Sequence, residues 1–282
     1  GHRRRTSPVN ESNQPSFGAA FVMRLIAVDI GNSSIKIAVD SPSKINSWQT
    51  ELTLNSEATL SQELLSLPFK NDSFFWSVSS VHREKESRLL DWVNQHRPND
   101  QFHLIRESDV DLQSNIESRE LLGRDRLISA WMALQLNHNQ GPVIIVDAGT
   151  AVTIDLVDPE GIFQGGVIFP GAESNFKRLN AFTDALPELG MQTGNSPLPH
   201  VFDSILGKST ADAIQKGVYH SQKYAIQEIV EQMSKLSKQP ACIFATGGGL
   251  TDITPQLNPD WNYIPDLLLQ GARAIGRKLN CV

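Results

Sequence analysis

The strongest constraint on this chain is a turn that it builds twice. "VDIGNSSIKIAVD" at residues 28–40 and "VDAGTAVTIDLVD" at 146–158 match at five of thirteen positions and start 118 residues apart in a chain of 282. In each, an apolar β-rich run ends in Asp-x-Gly, small residues follow, and a second β-rich run closes on Val-Asp. Two short β-prone runs joined by a small-residue turn read as a hairpin. A chain that starts the same hairpin twice is expected to fold as two related halves.

The segments downstream of each hairpin support that division. After the first come a third strand in "SWQTELTL", the continuous apolar run "SFFWSVSSV" of a buried strand, a helix in "EKESRLLDWVNQH" and a short strand "QFHLI". A helix comes next in "DRLISAWMALQLNH", with Leu127, Ala130, Trp131 and Leu134 at helical spacing. After the second hairpin come a glycine-bounded strand in "GIFQGGVIFPG", helices at 172–185 and 210–236, a buried strand "ACIFATGG" and a closing helix "DLLLQGARAIGRKLN". Alternating strands and helices indicate an α/β protein. Because each half opens on a hairpin, its sheet is expected to be mixed. The boundary falls in "LNHNQGP", giving halves at 23–138 and 139–282.

Composition removes several functional classes. A net charge of −6, from 25 basic and 31 acidic residues, argues against a nucleic-acid footprint while leaving room for a local basic pocket. No apolar run reaches the length of a membrane span, so no membrane partner is expected. Cys242 and Cys281 form no Cys-x-x-Cys pair, which argues against a zinc knuckle or disulfide scaffold and for a reducing, cytoplasmic setting. Gly1-His2 reads as the scar of a cleaved tag, and "RRRTSPVNESNQPSFG" lacks the apolar core of a secretory signal. Residues 1–22 are therefore expected to form a disordered extension, with Met23 as an alternative start.

Asp29 and Asp147 each end an apolar strand just before a glycine-containing turn. Such turns expose backbone N–H groups, and small side chains let phosphate oxygens approach them. Gly31, Asn32, Ser33 and Ser34 supply one donor set, with Lys36 as a point charge; Gly149, Thr150 and Ala151 supply another. A carboxylate beside a phosphate repels it unless a cation intervenes, so Asp29 or Asp147 is expected to hold a metal or its waters. One such turn alone would read as hairpin geometry. Its repetition favours a two-sided phosphate clamp.

"ATGGGL" at 245–250 is a third glycine turn, equally suited to a nucleotide base or ribose and to a tight connection; it lacks the dinucleotide fingerprint. "GKST" at 207–210 is not a P-loop, because the required first glycine falls on Phe202. "GRDR" at 123–126 opens a helix whose N-terminus and arginines favour anions, and Asp125 is suited to accept a hydroxyl proton. Taken alone, an acid at that position reads as a cap. The histidines are scattered, and no Gly-x-Ser-x-Gly elbow supports a hydrolase of that type.

In this order and spacing, the elements resemble the type III pantothenate kinase family, from about Met23 to the C-terminus. The resemblance implies two actin, sugar-kinase and Hsp70-like (ribonuclease H-like) halves. It implies that Asp29, Ile30, Gly31, Asn32, Ser33, Ser34, Ile35 and Lys36 contact ATP phosphates, and that Thr150 contacts ATP. Gly123, Arg124, Asp125 and Arg126 are implied to touch pantothenate, with Asp125 as proton acceptor. Asp147 is implied to hold a monovalent cation, K⁺ or NH₄⁺, and Thr210 to contact pantothenate. "ATGGG", with Gly247 and Gly248, resembles the nucleotide-side glycine motif, and "GGVIFPG" and "LNAFTDALP" match further family segments. The implied activity is ATP- and Mg²⁺-dependent phosphorylation of pantothenate by a homodimer, at the start of coenzyme A biosynthesis. The alternative is a nucleotide-binding accessory or regulatory protein of the same fold. Ile116 and Arg119 stand where many members carry Tyr and Pro, which alters the expected pantothenate-binding lip.

Overall fold

Alternation along the first hairpin sorts its side chains by size. β1 (Arg24–Ile30) and β2 (Ile35–Asp40) send Ile26, Val28, Ile30, Ile37 and Val39 to one face and the small Ala27 and Ala38 to the other. The computed structural model describes residues 23–41, 48–54, 60–67, 72–184, 186–187, 189, 201–250, 253 and 256–280. The expectation of a disordered extension at 1–22, and Cys281, lie outside the described residues.

The first sheet adds β3 (Trp48–Leu54), β4 (Phe74–Ser80) and β5 (Gln101–Leu104) in the order β3-β2-β1-β4-β5. The second holds β7 (Val143–Ala148), β8 (Ala151–Val157), β9 (Ile162–Pro170), β10 (Cys242–Thr246) and β11 (Asn262–Tyr263). Its order is β11-β10-β7-β8-β9, followed by a two-residue strand β6 (Gln113–Ser114). Counted from the third strand of each half, the two orders coincide. In both sheets the first three strands are antiparallel neighbours and the rest join in parallel. The mixed sheets expected from the repeated hairpin are therefore present, as is the α/β class.

The helices form three layers around these sheets. α1 (Leu60–Ser66) and α2 (Arg83–His96) cover the large-residue face of the first sheet with Leu64, Leu89, Trp92 and Val93. α4 (Ala172–Ala181) and α5 (Thr210–Leu236) cover Ile144, Val146 and Ile154 on the outer face of the second. α3 (Arg124–Leu136) and α6 (Leu267–Asn280) fill the space between the sheets, joining Ala27 and Ala38 to Val143, Ile145, Val157 and Phe163 in one core. Buried Leu127, Ala130, Trp131 and Leu134 form the stripe expected of α3.

Two elements cross between the halves. β6 precedes α3 in the chain yet pairs with β9 of the second sheet. α6 ends the chain yet packs on β1 and β4, close enough that a Cβ on Gly276 would lie 2.7 Å from the Ser77 Cβ. A buried ion pair fixes this return. Arg273 Nε donates to Asp40 Oδ1 at 2.6 Å, and Arg277 Nη2 reaches Asp40 Oδ2 at 3.2 Å. The Arg273 guanidinium lies 3.7 Å from the centre of the Trp48 ring, whose Nε1 donates to Asp266 at 2.9 Å.

Breaking a buried ion pair by removing one member costs about 3–5 kcal/mol, because the remaining charge keeps its desolvation penalty. Asp40→Ala is expected to lower unfolding stability by about 3 kcal/mol on that basis. A urea unfolding midpoint equal to that of the parent chain would show that the knot at β2 and α6 does not hold the halves together.

Candidate active site

The two repeated turns meet. Ser33 Oγ, in the turn after β1, lies 2.7 Å from Thr150 Oγ1, in the turn after β7. Both turns close locally: Gly31 N–H donates to Ser34 O and Gly149 N–H to Ala151 O, each at 2.9 Å. The amides of Asn32 and Ser33 have no backbone acceptor among the described residues, and both residues are exposed. Unused amides and paired hydroxyls at the meeting point of two strand ends suit an oxyanion ligand.

Neighbouring elements brace the second turn. Thr150 O accepts Gly171 N–H at 2.9 Å and the Ser174 hydroxyl at 2.6 Å. Gly171 packs so closely that a Cβ there would meet Gly149 O at 2.1 Å. The turn after β10 docks from the other side. Gly247 has φ +97°, and a Cβ on it would lie 2.3 Å from Ala148 O and 2.6 Å from Asp147 Oδ1. Gly248 faces open space, with nothing within 4 Å of its Cβ position. The three glycine turns singled out from the sequence thus form one rim.

Beneath the rim lies a cluster of carboxylates. In register across the inner face of the first sheet stand Lys36, Asp29 and Ser79. Asp147 ends β7 on the inner face of the second sheet, and Asp155 shares that face from β8. Burial, opposed by Lys36 and reinforced by Asp147 and Asp125, pushes the Asp29 carboxyl up from 3.8 to about 7. Burial, with Asp125 adding to it, Lys36 opposing and Asp155 contributing, lifts Asp147 to about 6. These couplings bring Asp29, Asp125 and Asp147 into one electrostatic unit.

The helix α3 delivers Asp125 to that unit. Gly123 is its N-cap, and a Cβ there would stand 2.4 Å from Asp125 Oδ1, so the carboxylate occupies space that only glycine leaves. Asp125 Oδ1 accepts the Arg126 N–H at 2.9 Å; burial still raises the carboxyl above its ordinary value. Arg126 turns to the buried Asp155, with Nε 3.2 and 3.1 Å from its two oxygens. Burial also raises Asp155, against that guanidinium. Arg124 lies between Glu107, at 3.5 Å, and the carbonyl of Ser80.

Thr210 lies apart from this unit, and the two residues of the altered lip have partners of their own. Thr210 starts α5, on the opposite face of the second sheet from α3, and lines a cavity of about 610 Å³ between α4 and α5 with Leu179 and Ile214. Within one chain, Thr210 and Asp125 thus stand in helices that cover opposite faces of that sheet. At the altered lip, Ile116 packs over Gly165, 3.7 Å from its Cβ position. Arg119 donates to Val110 O at 3.1 Å and Glu107 O at 3.2 Å, and also to Leu112 O. An arginine thus ties the segment leading into α3.

Asp155 is a site residue that the motifs do not single out, though its signal is present: counting back from Val157 in steps of two places it inside. Lys85, whose Nζ donates to Asn32 O of the first turn at 2.6 Å, is another; it and Leu89 lie one helical turn apart on the buried side of α2. The charges of the site decide whether it fits a cation. Four carboxylates face Lys36 and Arg126, and Arg126 is occupied by Asp155. Ser79 beside Asp29 is buried, and its hydroxyl has no partner among the described residues. Excess negative charge with an unused hydroxyl fits a hydrated cation. No group of three or more His, Cys, Asp or Glu residues forms a ready cage among the described residues, so ligand oxygens and water would complete the shell.

Known proteins resemble this chain in sequence and in fold. The family model for type III pantothenate kinase matches residues 25–232. A type III pantothenate kinase of Rhodospirillum rubrum is 28% identical over 267 residues, covering 90% of this chain and 98% of its own. That of Persephonella marina is 24% identical, covering 88% and 96%. Among solved structures, a Baf family transcriptional activator from Campylobacter jejuni aligns with TM-score 0.56 at 22% identity, over 92% of this chain and all of its own. At that identity the likeness speaks for the fold.

The raised carboxyl values carry a sign for stability. Asp29 and Asp147 keep their protons in the folded chain at pH values where the unfolded chain, near 3.8, has lost them. The folded state then binds more protons, so stability falls as pH rises. The penalty begins near the unfolded value and is complete above about 7. Without ligands, the melting temperature is expected to fall between about pH 5 and about pH 7.5. Asp29→Asn should flatten that fall; an unchanged slope in thermal scans would contradict the shared burial of these groups.

Proposed function

The chain belongs to the type III pantothenate kinase family, and we propose that it transfers the γ-phosphoryl group of ATP to the primary hydroxyl of pantothenate. The observation that carries this reading is the contact of the two acidic-glycine turns at Ser33 and Thr150, with the Asp125 helix entering beside them. In this reading the Asn32 and Ser33 amides and the two hydroxyls hold phosphate oxygens, with Lys36 adding positive charge. The rim at Gly247 and Gly248 takes the nucleoside side.

Asp125 orients the pantothenate hydroxyl and accepts its proton as the oxygen attacks. A base works best when its pKa approaches the working pH, and burial moves Asp125 in that direction. Phosphoryl transfer asks mainly for positioning and charge neutralisation, so a modest base suffices. Asp29 and Asp147 are suited to hold Mg²⁺ waters and a K⁺ or NH₄⁺ ion, which when bound would neutralise phosphate charge. The transfer gives ADP and phosphopantothenate, at the start of coenzyme A biosynthesis, with the cytoplasm as its setting.

The reading extends to a homodimer. Thr210 lies across the second sheet from Asp125, so its contact with pantothenate is best served from a second copy. Exposed apolar side chains near that helix support such a face: Ile205 at 65%, Leu206 at 64% and Phe182 at 81%.

A coupled ADP-release assay with pantothenate tests the activity, run in chloride-matched sodium, potassium and ammonium. Pantothenate-stimulated release, faster in potassium or ammonium, is expected; no stimulation would overturn the kinase reading. Asp125→Asn is expected to lower turnover by ~10²–10⁴-fold with the fold intact. Parent-like turnover would remove Asp125 from the reaction. For the shared site, Asp125→Asn and Thr210→Val chains are each expected to be strongly impaired alone and to recover about a quarter of parent activity when refolded together, since half the dimers would carry one whole site. No recovery in verified mixed dimers would place each site within one chain.

A further inference from the structure

Lys85, in the first turn of α2, is buried and takes no part in the transfer chemistry proposed above. Its Nζ donates to Asn32 O at 2.6 Å and to Gly31 O at 3.3 Å. One residue earlier in the turn, Ile30 O accepts the N–H of Val81, from the β4–α2 connection, at 3.0 Å. Three consecutive carbonyls of the first phosphate turn are thus held from one side by a single junction.

The geometry of the peptide bond gives this a consequence. In a trans peptide the C=O and the following N–H point in opposite directions. Holding the carbonyls of Gly31 and Asn32 toward Lys85 aims the N–H groups of Asn32 and Ser33 away from it. Those are the two amides left without a backbone acceptor. A buried ammonium behind the turn also adds positive charge to a cleft dominated by carboxylates. Lys216, another buried lysine, instead bonds Leu206 O at 3.0 Å and lies 3.4 Å from Asp212, far along the chain from any phosphate turn.

We propose that Lys85 is a positioning residue for phosphate binding, holding the first turn so that its amides face the nucleotide's phosphate chain. The proposal rests on the kinase reading for the identity of that anion. It predicts an effect confined to phosphates. Calorimetric titration of ATP and of adenosine into the full chain separates this from a general loss of structure. Lys85→Met is expected to weaken ATP binding at least about tenfold, the scale of losing hydrogen bonds from a charged donor. Adenosine binding should stay unchanged and Lys85→Arg should recover most of the loss. In turnover, KM for ATP should rise while KM for pantothenate holds. If Lys85→Met does not fold, Lys85→Gln is measured in its place.

ATP affinity within about twofold of the parent in a folded variant would overturn the proposal, because charged hydrogen bonds contribute more than that. So would equal proportional losses for ATP and adenosine. Because the readout is nucleotide binding, absence of pantothenate-dependent ADP release from the parent chain would remove the kinase reading and leave this comparison decidable.

Discussion

Repulsion among the carboxylates of Asp29, Asp125, Asp147 and Asp155 is the interaction that the cleft has to contain. Removing such groups from water is costly, and placing them together adds to the cost. The fold tolerates this because the four come from four different elements, each fixed by packing elsewhere. β1 and β7 are central strands with neighbours on both sides, and α3 lies buried between the sheets. Lys36 and Arg126 offset part of the charge, and protonation offsets more. On the reading proposed above, a bound cation would offset the remainder and admit a polyanion that would otherwise be repelled.

Strand order alone would not hold the two turns together. Two independent halves with identical sheets would meet only through a linker and would move freely. Here β6 joins the second sheet and α6 returns to the first, so each half is completed by chain from beyond the other's edge. The buried Asp40–Arg273 pair and the Trp48–Asp266 hydrogen bond fasten that return. The hydroxyl contact at Ser33 and Thr150 is the local outcome of packing far from it.

Legibility in the sequence tracks the range of the interactions involved. The hairpins, the buried strand at Phe74–Ser80 and the helices α3, α5 and α6 announce themselves through periods of two or about 3.6 residues and through glycine at the turns. The two-residue β6 and the seven-residue α1 carry too few positions to show a period. Asp125 is recognisable by motif, but the reason for Gly123 is not: it lies in the space a Cβ would take from the Asp125 carboxylate. Arg273 and Asp40 lie 233 residues apart, and no local pattern links them. Thr210 is legible as a residue and not as a place, since its distance from Asp125 depends on which face of the second sheet α5 covers.

The repeated turn ends as two different devices. Both copies keep an aspartate, a glycine and one local hydrogen bond, which are the minimum for turning a strand end into an anion cradle. They differ in what stands behind them. The second turn is held by neutral groups, the Gly171 amide and the Ser174 hydroxyl, with Gly247 pressed against Asp147. The first is held by the Lys85 ammonium and faces Lys36 across its own hairpin. Lysine charge is thus concentrated on one side of the cleft, while Arg126 is spent on Asp155. On the other, Asp147 lies near Asp125 and Asp155, and no lysine among the described residues braces its turn. In the proposed reaction, a phosphate chain entering between them would meet direct donors on the first side and need a cation on the second. The sequence repeat suggests symmetry; the bracing groups explain why the two sides would treat the same ligand differently.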